Sequence, residues 1–296
     1  MAASSVRRRR SAFAAGFATL AMTLGFAAIP AEAAPPPKAD YVALGDSYTA
    51  GTGAGAFTPT SSCVQTSPGG YVDIVGGTGR VALAENAACH GALLSPFSPL
   101  YQPGSSSTTV AEQIAGLVGV RLSRDTELVS VTAGANDVGF TTVLLTCAFQ
   151  PQACQTAIDA SAAALVPLRR SLAGTYVALR GAAPDAKIAV LGYPRLFDPA
   201  VGIPGIDPAI LVALNGATDA LNATIAGAVS DANVGAVFID VTSRFTGHAA
   251  NSADPWLFYN GDFTDARTFH PNPAGHSKGY AAALISTVKP AQLARR

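Results

Sequence analysis

Four positions in this sequence carry groups that nucleophilic catalysis combines, namely a serine hydroxyl, two hydrogen-bond donors and an imidazole. Ser47, in Gly45-Asp46-Ser47-Tyr48, directly follows the apolar run Tyr41-Val42-Ala43-Leu44. A serine at a strand-to-helix turn presents its hydroxyl at a sheet edge, where the N-terminus of the next helix stabilises negative charge. A serine in that place is equally an N-cap behind a glycine turn. The segment is also not a G-x-S-x-G elbow, because residue 49 is Thr. In Asn86-Ala87-Ala88-Cys89-His90-Gly91, Gly91 can expose a backbone N–H to an approaching oxygen. In Gly134-Ala135-Asn136-Asp137, the Asn136 amide can supply another donor. In Phe269-His270-Pro271-Asn272-Pro273-Ala274-Gly275-His276, a histidine precedes a proline turn that opens the last helix, a place for a fixed yet accessible imidazole.

Neighbouring polar residues admit two readings. Asp46 and Asp137 could act as acids, but more simply accept backbone N–H bonds that fix the turns around Ser47 and Asn136. His276 reads as structural or as a hydrogen-bonder behind the site. His90 could line a pocket or sit on an exposed loop, and His248 falls in a polar loop without a pattern. Trp256, Phe258 and Tyr259 could offer apolar surface to an acyl chain or simply pack a loop.

The elements that must position these residues alternate. Short apolar runs read as strands at 41–44, 81–84, 129–132, 187–191 and 236–241, and Ala/Leu-rich stretches at 154–180 and 208–231 read as helices. Strands alternating with helices predict a parallel sheet covered on both faces, a flavodoxin-like three-layer α/β/α sandwich of about five strands. Loops are expected at 52–70, 95–108, 197–206 and 243–268. Ligands bind at the carboxyl ends of such strands, and the candidate residues follow strands.

The four blocks, GDSY, the Gly91 segment, GAND and HPNPAGH, resemble in order and spacing those of the SGNH/GDSL hydrolase family. The likeness spans most of the chain after the leader. Leu191-Gly192-Tyr193-Pro194-Arg195-Leu196-Phe197 further resembles the secreted actinobacterial lipases and esterases of that family. The resemblance implies that Ser47 attacks an ester carbonyl and that His270 takes its proton and passes it to the leaving alcohol. It further implies an oxyanion hole formed by the Ser47 and Gly91 amides and the Asn136 side chain. Many members place an aspartate three residues before the histidine, whereas this chain has Arg267 there. The imidazole needs only an acceptor for its second N–H. The main-chain carbonyl of Arg267 is the favoured acceptor, with Asp265 as the alternative.

Arg7–Arg10, an apolar Ala-rich run and Ala31-Glu32-Ala33 read as a signal peptide over residues 1–33, followed by one domain over 34–296 in an extracellular protein. Four cysteines in that setting suggest two disulfides, three connectivities being formally open. Sequence proximity favours Cys63–Cys89 and Cys147–Cys154, and the absence of a CxxC pair argues against zinc. Cysteine placement also resembles that of the actinobacterial relatives, apart from a third disulfide absent here.

With 19 basic and 19 acidic residues, and 13% charged residues in all, the chain lacks the electrostatic footprint of a nucleic-acid binder. Loss of the leader, with its four arginines and one glutamate, leaves a net charge of −3. No metal, organic cofactor or membrane span of the processed chain is implied, and the oligomeric state is not legible. The expected partner is a small-molecule or lipid ester. A carbohydrate acetyl esterase of the same family is the second reading, against which the 7% aromatic content argues mildly. A secreted binding protein without catalysis is the third, and the presence of all four candidate residues speaks against it.

Overall fold

Burial on both faces explains the apolar strand runs. Tyr41 through Gly45 and Leu128 through Thr132 are buried without a break, as parallel strands between helices must be. In the computed structural model, which describes Met1 and residues 36–59, 63–66, 69–104 and 107–294, the strands are β1 (Ala39–Gly45), β2 (Phe57–Pro59), β3 (Val64–Thr66), β4 (Val81–Asn86), β5 (Leu128–Thr132), β6 (Lys187–Leu191) and β7 (Val237–Ile239). The chain divides between Pro35 and Pro36 into two units. The stretch read as a signal peptide lies outside the described residues, Met1 excepted.

Five strands form one parallel sheet in the order β4-β1-β5-β6-β7, and β2 and β3 form a separate antiparallel hairpin. The chain steps outward from β1 to β4, then crosses back to β5 on the other side of β1. This is a doubly wound order, whose reversal opens a crevice at the carboxyl ends of the central strands. The three strands β4, β1 and β5 are adjacent there. Each delivers one of the candidate segments.

The helices are α1 (Tyr71–Gly76), α2 (Val110–Leu117), α3 (Phe140–Phe149), α4 (Cys154–Ala182), α5 (Pro208–Ala232) and α6 (Ala282–Val288), with a π-helical stretch Gly275–Ala281 leading into α6. On one face α2, α3 and α5 all pack against α4; on the other, α1 and α6 pack against the π-helical stretch. Capping sets several boundaries. Thr109 and Glu112 form a capping box that starts α2. Asp207 caps α5 with Pro208 at its first position, and Asn233, at φ 49°, ends it. Helix α5 is long and apolar enough to cross a bilayer, but Leu211, Leu214, Leu221 and Ile225 are buried in the core. Each such side chain contributes about 1.5–3 kcal/mol by leaving water.

The architecture matches the expected α/β sandwich, with local differences. Ser47 does not open a helix; residues 46–53 form a succession of bends and turns, and the next helix among the described residues starts at Tyr71. The hairpin β2–β3 occupies the stretch expected as loop, and the last strand is shorter than its apolar run. The disulfides are Cys63–Cys89 and Cys147–Cys154.

Candidate active site

The turn carrying Ser47 is clamped before it begins. Gly45, at φ +126°, ends β1 where a Cβ would stand 2.1 Å from the Thr132 carbonyl, so only glycine fits. The buried Gln113 side chain on α2 accepts the Gly45 N–H at 2.8 Å and donates to the Gly45 carbonyl at 3.0 Å. The Asp46 amide donates to the Thr132 carbonyl at 3.0 Å, tying the turn to β5.

Asp46 is buried beneath the nucleophile. Its carboxylate accepts from the Tyr48 amide at 3.1 Å, the Thr132 hydroxyl at 2.6 Å and the Tyr193 hydroxyl at 2.5 Å. Burial pushes its pKa up to about 6, against the lowering effect of those three donors. Asp46 is therefore a long-range anchor as well as the turn-maker expected from its position. Asp137 accepts the Leu94 amide through both oxygens at 3.2 and 3.1 Å, binding the segment after Gly91 to the segment after Asn136, and burial pushes it to about 6.

His270 reaches across 223 residues to Ser47, its Nε2 standing 2.7 Å from Oγ. The opposite nitrogen, Nδ1, meets the carbonyl of Thr268 at 3.2 Å. The acceptor expected there is the Arg267 carbonyl. The structure gives Arg267 O to the His270 main-chain N–H at 3.0 Å and places Thr268 O on Nδ1. Phe269, which stands between these carbonyls and the ring, has a left-handed backbone (φ 63°). Asp265, the alternative, is taken. Its oxygens bind the Arg267 backbone and guanidinium at 2.7–3.0 Å and the Asn260 amide at 3.1 Å. These bonds, the Arg267 side chain first, hold its pKa down to about 2.

Burial pushes the His270 pKa down to about 3; the nearby His90 adds to this, while the Thr268 and Arg267 carbonyls oppose it. The ring is thus neutral and able to accept a proton at ordinary pH. A hairpin-like ladder fixes the segment: the Phe258 amide donates to His270 O at 2.7 Å and the Phe269 amide to Phe258 O at 2.8 Å.

Ser47, Gly91, Asn136 and His270 line one cavity of about 290 Å³. Gly91 is left-handed, at φ +76°. Asn136 spends one amide hydrogen on the Ala92 carbonyl, 2.8 Å away, which fixes its side chain and leaves its second hydrogen. The apolar wall comes from Phe140, Leu144, Leu145, Leu196, Phe263 and Phe269. His90 also lines the cavity, with Nδ1 3.0 Å from the Thr52 hydroxyl.

Several residues considered on sequence grounds lie elsewhere. His276 is fully buried; its Nδ1 accepts the Tyr71 amide at 3.2 Å and its Nε2 donates to the Thr52 carbonyl at 3.0 Å. It is structural, holding α1 and the turns after Ser47 together. His248 stacks on Trp256 with centroids 3.8 Å apart. Phe258 lies under the Arg267 guanidinium, and Tyr259 stacks on Phe269. None of the Trp256, Phe258 and Tyr259 rings lines the cavity.

The structure adds supports that no local pattern marks. Asn222 and Asn215 on α5 each bridge a backbone N–H and C=O in the stretch 193–197. They hold it extended so that Tyr193 reaches Asp46 and Leu196 reaches the cavity. The Tyr48 hydroxyl donates to the Phe269 carbonyl at 2.7 Å. Among the described residues, no group of three or more His, Cys, Asp or Glu is placed to hold a metal ion.

The chain matches the GDSL-like Lipase/Acylhydrolase family over residues 43–278. It is 34% identical to Lipase 1 of Streptomyces coelicolor over 86% of this chain and 89% of that protein. Among solved structures, it resembles the extracellular lipase of Streptomyces rimosus with a TM-score of 0.70 and 32% identity, over 84% of this chain and 99% of that one. It likewise resembles phospholipase A1 of Streptomyces albidoflavus NA297, with a TM-score of 0.72 and 32% identity over the same shares. A seryl hydroxyl against a neutral imidazole, at the mouth of a doubly wound sheet, is thus joined to a family match over most of the chain: the protein belongs to the GDSL-like lipase/acylhydrolase family and is a carboxylic-ester hydrolase.

Proposed function

We propose that the protein is a secreted lipase or esterase that cleaves acyl esters through an acyl-enzyme on Ser47, with His270 as general base. The observation that carries this reading is the 2.7 Å contact between His270 Nε2 and Ser47 Oγ. As Oγ attacks the ester carbonyl, Nε2 takes its proton, and the ring, now positive, is stabilised by the carbonyl dipole of Thr268 at Nδ1. The Ser47 and Gly91 amides and the second Asn136 hydrogen meet the developing oxyanion. Each such donor is worth about 10²–10³ in rate. The imidazolium then passes its proton to the leaving alcohol. Water, deprotonated by the same ring, releases the acid.

The apolar wall of the cavity, with Phe140, Leu144, Leu145 and Phe263, favours an acyl chain over a sugar acetyl ester. The leader at 1–33, the two disulfides and the likeness to an extracellular Streptomyces lipase support export, with the remaining residues forming one hydrolase domain.

Hydrolysis of p-nitrophenyl esters of graded chain length tests the reading, together with labelling by a fluorophosphonate. Wild type should turn over and be labelled, while Ser47→Ala and His270→Ala should fall by about 10³-fold or more. Equal activity of wild type and Ser47→Ala overturns it. A marked preference for acetate, with acetate released from polysaccharide, would favour the acetyl-esterase reading instead.

A further inference from the structure

Beside the cavity that holds Ser47 and His270, two segments that lead into its wall carry large apolar side chains exposed to solvent. Phe97 is 95% exposed, Phe149 62% and Leu100 48%. Single exposed apolar residues are ordinary on any protein surface. Leu100 and Phe149 differ because each is tied to the cavity wall, and Phe97 sits three residues before Leu100 in the same turn. Leu100 lies against Gly139, directly before Phe140, with its methyl 3.6 Å from where a Cβ on Gly139 would stand. Phe149 ends the same helix, α3, that presents Phe140, Leu144 and Leu145 to the cavity. Its ring packs edge-on against Phe263, another wall residue, with centroids 6.2 Å apart.

Phe97 is held outward rather than left loose. Pro96 and Pro99 flank it. The Ser95 side chain accepts the Phe97 amide at 3.2 Å, and turns close through Ser98 N to Ser95 O and Tyr101 N to Ser98 O, both at 3.0 Å. The hydrogen-bonded, proline-flanked turn has already lost much of the backbone freedom that docking would otherwise remove.

Two of the segments around the cavity are free of charge, whereas a third, residues 262–267, carries Asp262, Asp265 and Arg267, the last two paired at 2.7 Å. From Asn86 to Ala111, and again from Val138 to Ile158, there is no Asp, Glu, Lys or Arg. Segments that enter the boundary between headgroups and acyl chains must not carry charges into it, because an unpaired charge there is costly. Arg267, beside the cavity wall, is paired with Asp265 at 2.7 Å and so offers little attraction to anionic headgroups.

Resting on the ester-hydrolase reading above, we propose that the Phe97–Leu100 turn and Phe149 form a docking surface for the surface of an uncharged or zwitterionic lipid aggregate, which seats the cavity mouth against its ester substrate. Neither Phe97, Leu100 nor Phe149 lines the cavity, and none touches Ser47 or His270, so loss of docking can be read apart from loss of chemistry.

Flotation with phosphatidylcholine vesicles, paired with kinetics, tests this. The variants are Phe97→Ser/Phe149→Ser and a control, Val166→Ser, whose valine on α4 is 64% exposed, much as Phe149 is. The double variant should partition about tenfold or more weakly than wild type and the control. It should lose activity in proportion on ester embedded in vesicles, while kcat/KM on monomeric p-nitrophenyl butyrate stays level. Added anionic lipid should not strengthen wild-type binding. Equal partitioning of the double variant and wild type overturns the proposal. So does a wild-type dimer, seen by sedimentation, that the double variant abolishes, since the patch would then seat a second copy. Vesicle binding without turnover of p-nitrophenyl butyrate would instead overturn the ester-hydrolase reading and leave the docking surface standing.

Discussion

The hydroxyl of Tyr48, one residue after the candidate nucleophile, donates to the carbonyl of Phe269, one residue before the candidate base, at 2.7 Å. This bond ties together the two segments whose relative placement sets the 2.7 Å contact between Ser47 and His270. Phe269 holds a left-handed backbone, a conformation a bulky residue adopts only when its surroundings impose it. Tyr48 also packs edge-on against Tyr193, which reaches the buried carboxylate of Asp46.

Tyr48→Phe keeps the ring and deletes that bond, so Phe269 is free to relax and His270 to move with it. We expect kcat on a soluble ester to fall about tenfold or more with KM nearly unchanged, since an error near 1 Å in a catalytic group costs about 10²-fold. Stability should fall by about 1–3 kcal/mol, the cost of stranding a buried acceptor. Steady-state kinetics and urea denaturation measure both. An unchanged kcat would show that the contact does not position the base.

A second expectation concerns Asp265. Where a carboxylate orients the catalytic histidine of a serine hydrolase, replacing it costs about 10⁴ in kcat. Here the carboxylate is held by Arg267 and Asn260, and Nδ1 meets the Thr268 carbonyl. Asp265→Asn should therefore change kcat by less than about tenfold. A loss of a thousandfold in a folded variant would return the orienting role to the carboxylate.

How much of this was legible follows from how local each feature is. The strands β1, β5 and β6 declare themselves because both their faces are buried, so nearly every residue is apolar. Ser47, Gly91, Asn136 and His270 sit in short blocks placed just after strands or at a proline turn. The supports are different. Gln113 holds Gly45 across 68 residues, Tyr193 holds Asp46 across 147, and Tyr48 holds Phe269 across 221. Each pairs one ordinary polar side chain with a distant partner, and no spacing rule marks it. The acceptor behind His270 escaped for a related reason. Arg267 and Thr268 are neighbours, and residue spacing does not say which carbonyl meets Nδ1.

The pH dependence of catalysis follows from the position of His270. Burial, with a smaller contribution from His90, pushes its pKa down to about 3 from 6.5. The ring must be neutral to take the Ser47 proton, so activity is lost only as pH falls through the lowered value. The acid limb of kcat/KM should lie well below 6.5. Replacing His90 by Gln removes a charge that opposes His270 protonation and should move the limb upward. A pH profile on an uncharged ester, over the range where the fold persists, tests this. A midpoint at or above 6.5 would contradict it.

Stability should depend on pH through His276 in a direction that can be worked out. Its folded pKa is pushed down to about 4 by burial, against 6.5 for a free imidazole. Between these values the unfolded chain binds the proton and the folded one does not. The stabilisation is therefore complete above 6.5 and is lost as pH falls toward 4, at up to about 1.4 kcal/mol per pH unit. The geometry agrees, because protonated Nδ1 would turn a hydrogen toward the Tyr71 amide that it now accepts. Asp46 and Asp137, raised to about 6, work in the opposite sense. Below pH 6 the folded state binds their protons first, so whole-protein slopes partly cancel. The comparison with His276→Asn removes that cancellation. The variant should be less stable at pH 8, yet its stability should fall less between pH 6.5 and 4 than that of the wild type. Parallel urea midpoints for the two proteins across that window would mean that His276 titrates alike in the folded and unfolded chain.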